Sequence, residues 1–96
     1  MKFPVAIEIG NGFNAYGAAV PDLPGCFGAG DNLHSTLADV RRSISAHCET
    51  LAARGGRVPH PRPMEGWQRT PAFAGWMWSA VDVSVEPLFA TSTSRI

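Results

Sequence analysis

The chain has little of what marks several common kinds of protein. Only two of its 96 residues are cysteine, Cys26 and Cys48. Small secreted domains that lack a sufficient core are usually dense in disulfides. The sparse count instead fits two reduced, buried thiols in a cytosolic protein. A Cys26–Cys48 bridge is the alternative, should the helix described below pack beside Cys26. No charge of one sign dominates, because eight basic and eight acidic residues cancel. A domain that grips nucleic acid through its phosphates carries a basic surplus, so this segment is not expected to bind DNA or RNA that way. No apolar run approaches the length of a membrane span. Lys2 is followed by no apolar run ending in a cleavage site, so no signal peptide is expected. His34, His47 and His60 lack the short intervals of a zinc site, and no metal or cofactor is expected.

What is present fits one small domain with an ordinary apolar content of 45%. Phe3, Val5, Ile7 and Ile9 alternate with Lys2, Pro4, Ala6 and Glu8, the period of a strand. Pro4 fits an edge or first-residue position. Asn11-Gly12 signals a hairpin, in a loop that Gly10 and Asn14 are able to lengthen. A second strand is expected over Asn14 to Val20. Then comes a shaped corner, Pro21-Asp22-Leu23-Pro24-Gly25-Cys26. Pro21 and Pro24 lock φ, and Gly25 enters conformations closed to other residues. A short third strand is expected over Cys26 to Ala29.

Asn32 is the expected N-cap of a helix, with Ser35 standing where a capping box usually has an acid. Leu33, Leu37, Val40, Ile44, Cys48 and Leu51 recur at helical spacing as one apolar stripe, and Gly55-Gly56 ends the helix. Four of the eight prolines, Pro59, Pro61, Pro63 and Pro71, fall between residues 57 and 75. Arg57, Arg62 and Arg69 interrupt them. This segment reads as an extended connection, anchored to the body by Trp67 or Phe73. A last strand is expected from Trp76 to Val85, with Met77, Val81, Val83 and Val85 on one side and Trp76, Trp78, Ala80 and Asp82 on the other. The Ser- and Thr-rich stretch from Leu88 to Ile96 reads as a loose tail.

The order β-β-β-α-β describes an α+β domain of two layers, with the helix stripe on one sheet face. The other face has no covering segment and carries Trp76 or Trp78, one packed and the other free to anchor a partner or a second copy. Asp22 is expected to accept backbone N–H bonds from Gly25 or Cys26, with direct partner contact as its alternative role. Leu23 lies either under the corner or toward a partner. Glu8 and Asp82 are the acids on strands that are candidates for neighbours. Two carboxylates without further ligands make a poor two-metal site, and no nucleophile-elbow motif occurs. No catalytic residue is expected.

The segments and the corner together resemble the HicB antitoxins of type II toxin–antitoxin systems. Their N-terminal domain reads "YPVVIE", "YGAYVPDLPGC", "GDTLEEAL…AREAI" and "VDVD". The matching residues here are Phe3 to Glu8, Tyr16 to Cys26, Gly30 to Leu37, Val40 to Ile44, and Val81 to Val83. The resemblance implies a partial ribonuclease H-like fold that has lost nuclease function. It also implies a partner, a small HicA-type toxin that cleaves mRNA, whose active surface the antitoxin covers. Asp22, Leu23, Trp76, Trp78 and Asp82 are the candidate contacts. Many members carry a C-terminal DNA-binding domain for the operon's promoter. In ribbon-helix-helix members that domain begins near an Arg-Ile or Arg-Val pair, and here Arg95-Ile96 is the last pair. Residues 1–86 are therefore expected to form the toxin-binding domain. Residues 87–96 are expected to be a tail or the start of a linker, and operator binding depends on a further domain. A homo-oligomeric structural module without a toxin partner is the alternative, and a remnant enzyme is a third reading.

Overall fold

A computed structural model describes residues 1–83. Its elements are β1 (Lys2–Glu8), β2 (Tyr16–Ala19), β3 (Phe27–Gly30), α1 (Leu33–Ala53), α2 (Met64–Gln68) and β4 (Met77–Asp82), with a 3-10 turn at Pro71–Phe73. The four strands form one antiparallel sheet in the order β3-β2-β1-β4. The α+β reading holds, and the last strand returns beside the first, pairing Lys2 with Asp82 and Ile7 with Met77.

The alternation in β1 holds for three of its four apolar positions. β1 ends at Glu8, so Ile9 lies past the strand and is 58% exposed, and Pro4 and Ala6 on the opposite side are buried as well. Phe3, Val5 and Ile7 have no accessible surface and join Val40, Ile44 and Cys48 of α1 in the core. β1 lies inside the sheet, not at its edge. Pro4 is tolerated there because β2 stops at Ala19, the partner of Ala6, so Pro4 lies beyond the β1–β2 ladder.

The helix starts and stops as its caps require. The Asn32 side chain accepts the Ser35 N–H at 2.8 Å, and Ser35 Oγ accepts the Asn32 N–H at 3.3 Å. Ser35 thus completes the capping box in place of an acid. At the other end Gly55 takes φ +74°. The Gly56 N–H donates to the Leu51 carbonyl and the Gly55 N–H to the Ala52 carbonyl, a Schellman stop. The buried row is Thr36, Val40, Ile44 and Cys48. Leu33, expected in the stripe, is 38% exposed, and Leu37 and Leu51 are half-buried. The reason lies in β3. A Cβ on Gly28 would stand 2.7 Å from Val40 Cβ, and one on Gly30 would stand 2.4 Å from Ser35 Oγ. Two glycines let the helix backbone come down onto the strand, and the row that faces them is the one with Thr36 and Val40.

Several boundaries differ from the sequence expectation. β2 starts at Tyr16, because Asn11 Oδ1 accepts the Phe13 and Asn14 N–H groups and holds residues 11–14 in a turn. β3 begins one residue late, since the Cys26 N–H closes the corner instead of entering the ladder. The segment 57–75 is not simply extended. Pro63 is the N-cap of α2 and Pro71 opens the 3-10 turn, so two of its prolines start helical turns. β4 is shorter than expected, and Val85, Glu86 and the 87–96 tail lie outside the described residues.

Candidate functional site

The corner closes on itself. The Leu23 N–H donates to the Val20 carbonyl and the Cys26 N–H to the Leu23 carbonyl, both at 3.0 Å. The Val20 N–H reaches the Cys26 carbonyl at 3.2 Å. Pro24 followed by Gly25 at φ +86° is the residue pair a type II turn demands. Leu23 has no accessible surface and belongs to the core, which removes it from the surface candidates. Cys26 is buried nearby and, like Cys48, carries a free thiol. Burial pushes both thiols up from their ordinary pKa, and the neighbouring Cys48 pushes Cys26 further.

Asp22 does not accept from Gly25 or Cys26. The Leu23 carbonyl already takes the Cys26 N–H, so the carboxylate turns away from its own loop. It accepts the Arg62 backbone N–H at 2.9 Å and the Trp67 indole N–H at 3.3 Å. Asp22 is itself buried. It is a clasp that ties the proline-rich segment to the corner. The Arg62 guanidinium then lies over the Trp67 ring, 5.6 Å from its centroid. Trp67 is thus one of the anchors the sequence suggested, and the acid that receives it was not foreseen.

The sheet face away from α1 carries the remaining candidates. Strand register sets Phe27 opposite Ala19, Ala19 opposite Ala6, and Ala6 opposite Trp78. One row across the sheet therefore has two alanines flanked by two aromatic rings. Phe27 is 64% exposed at the β3 edge. At the β4 edge Phe73 packs edge-on to both Trp78, 5.6 Å away, and Trp76, 5.3 Å away. This face was expected to have no covering segment. Instead Phe73 comes back from the 3-10 turn against Trp78, and Pro4, Ala6 and Ala19 are buried. Trp76 and Trp78 do not split into one packed and one free ring, since both are half-buried and share Phe73.

Asp82 is exposed on this same face and accepts from the Met1 ammonium at 3.1 Å. Glu8 pairs with Gly17 at the other end of β1. Glu8 and Asp82, the candidates for neighbouring acids, are both exposed and not neighbours: a seven-residue strand separates them, by about 20 Å at the usual rise per residue. Among the described residues, no three His, Cys, Asp or Glu side chains gather as a metal site. The sequence also gave no sign of Asp39 Oδ2 accepting the Ala29 N–H of β3 at 2.9 Å, with Arg42 bound to the other oxygen. That hydrogen bond, with the Arg42 charge, lowers the Asp39 pKa.

This arrangement of corner, glycine-lined helix seat and returning strand has relatives. Residues 3–96 match the family model described as HicB-like antitoxin of bacterial toxin–antitoxin system. The chain belongs to the HicB-like antitoxin family. The N-terminal domain of the Burkholderia pseudomallei antitoxin HicB shares the fold with a TM-score of 0.77 and 31% identity, over 88% of this chain and 100% of that one. The longer structure of the same antitoxin gives a TM-score of 0.80 at 32% identity, over 90% of this chain and 65% of that one. A chain of a HicA3 and HicB3 toxin–antitoxin complex shares the fold at 22% identity, TM-score 0.73, over 88% of this chain and 99% of that one. An uncharacterized 14.9 kDa protein from the rep-hol intergenic region of Haemophilus phage HP1 is 33% identical over 88 residues, 92% of this chain. This HicB-like chain spans 65% of the length of that phage relative.

Proposed function

We propose that the chain is the toxin-binding part of an antitoxin, which binds a small HicA-type mRNA-cleaving toxin and covers its active surface. The observation that carries this reading is the family match along residues 3–96. The fold shared with a chain of a HicA3 and HicB3 complex is consistent with it. The row of Phe27, Ala19, Ala6 and Trp78 offers exposed Phe27 at one edge and half-buried Trp78 at the other, with buried alanines between them, and aromatic rings are favoured interface anchors. On this reading Trp76, Trp78 and Asp82 are the contacts from the β4 side. Asp22 acts through the clasp and Leu23 through the core.

The same reading takes the sheet and helix as a partial ribonuclease H-like domain without nuclease function, and the separation of Glu8 from Asp82 supports this. Residues 1–86 form the toxin-binding unit and 87–96 its tail or linker. The protein works in the cytoplasm and self-associates, and operator binding would require a C-terminal DNA-binding domain in addition to these residues. The test is co-expression with a HicA-type toxin, the product of the neighbouring gene where that gene encodes a small basic protein, followed by size-exclusion chromatography. A stable complex with that protein supports the proposal. A homo-oligomer that ignores the neighbour favours a purely structural module.

A further inference from the structure

We infer that the groove along α2 is a binding site for an acidic peptide segment of a protein partner. The groove has a volume of about 680 Å³ and is lined by Arg62, Glu65, Gly66, Trp67, Arg69 and Thr70 among others. Its wall is held in place from outside. Buried Asp22 fixes the Trp67 indole N–H and the Arg62 backbone, and the Arg62 guanidinium rests on the Trp67 ring. A guanidinium held near a ring in this way has less freedom to lose when it binds a carboxylate.

Two of the three charged side chains lining the groove are arginines, against the single acid Glu65. The ion pairs among the described residues are Met1 with Asp82 and Arg42 with Asp39, and neither involves Arg62 or Arg69. From Arg54 to Thr70 the sequence has four arginines and a single acid, Glu65, in a chain whose total charge is zero. The groove floor is open at Gly66, where an added Cβ meets nothing within 4 Å. Arginine forks, an indole and a small open floor suit a carboxylate followed by an apolar side chain. A nucleic-acid strand fits less well. Its affinity comes from neutralising many phosphates in a row, and here two arginines share the groove with Glu65. The site stands on the Asp22–Trp67–Arg62 geometry and is independent of toxin neutralisation.

The test uses the full chain and three fluorescein-labelled probes: a short peptide of alternating glutamate and leucine, the same peptide with glutamine for glutamate, and a single-stranded adenine RNA of equal charge. Fluorescence polarisation gives affinity, and the Trp67 indole and Gly66 amide signals in a ¹⁵N spectrum give the place. The glutamate peptide is expected to bind saturably and shift both signals, and the glutamine peptide to bind at least about tenfold more weakly. The R62Q/R69Q double variant, altered only at exposed side chains, should lose at least about tenfold in affinity. Gly66→Leu, which fills open space, should abolish binding. Equal binding of both peptides, tighter binding of the RNA, no binding at all, or affinity unchanged in R62Q/R69Q each overturns the inference.

Discussion

Asp22 ties the proline-rich segment to the corner. Its two oxygens take donors forty or more positions away, and both contacts are partly buried. Replacing it with alanine leaves the Arg62 N–H and the Trp67 indole without an acceptor. The expected loss is about 1–3 kcal/mol, read as a lower urea midpoint, with the Arg62 amide exchanging faster. Asp39 acts by a different route. The Ala29 N–H it accepts sits on an edge strand, so the carboxylate also blocks that edge from pairing with another chain. Its pKa is lowered in the fold, so its stabilisation is complete above the unfolded-state value. It is lost as pH falls through the ordinary aspartate range toward the folded value. Asp39→Asn is expected to flatten the acid side of the stability curve between those two values and leave the neutral and alkaline parts parallel to the parent. Thermal melts across that range check it.

At the scale of elements, the seat of α1 on β3 is set by glycine. A Cβ at Gly28 would press on Val40 side chain and backbone at under 3 Å. Gly28→Ala is expected to cost about 1–3 kcal/mol through overpacking. Gly66→Ala provides the contrast, because it adds a methyl into open space inside α2 and is expected to stabilise by up to about 1 kcal/mol. Paired urea titrations separate the two effects. These elements also show which parts of the fold are legible in the sequence. The alternation of Phe3, Val5 and Ile7, the Asn32–Ser35 cap and the Gly55-Gly56 stop are local signals, and each appears in the structure as read. The buried helix row was displaced toward Thr36 because the stripe of leucines says nothing about the glycines it must meet. The prolines of segment 57–75 predict an extended connection, yet a proline also starts a helical turn, as Pro63 and Pro71 do. The Asp22–Trp67 clasp was not legible at all, since no pattern in either segment encodes a pairing across that separation.

At the scale of the whole molecule, the chain is a sheet with one face sealed by α1 and the other finished by aromatic rings. The register that lines up Phe27, Ala19, Ala6 and Trp78 depends on all four strands, so this row arises only once the sheet has formed. If a toxin seats there, Trp78→Ala should lower affinity by about 2 kcal/mol or more, the scale of an interface hot spot. Isothermal titration with the partner, alongside a circular dichroism spectrum to show the variant still folds, tests this. The sequence pointed to Trp76, Trp78 and Asp82 on this face and to its family. It did not anticipate that Phe73 would return against Trp78, because that contact is made by a turn read as extended chain.

On the proposed function, this chain silences an RNA-cleaving partner by covering its active surface. The most direct measurement is cleavage of an RNA substrate by a purified HicA-type toxin that forms a complex with the chain, with increasing amounts of the chain added. Cleavage is expected to fall to background as the two proteins approach equimolar amounts, and to return when Trp78→Ala replaces the parent at the same concentration. Cleavage that continues unchanged in the presence of excess folded chain would contradict the account.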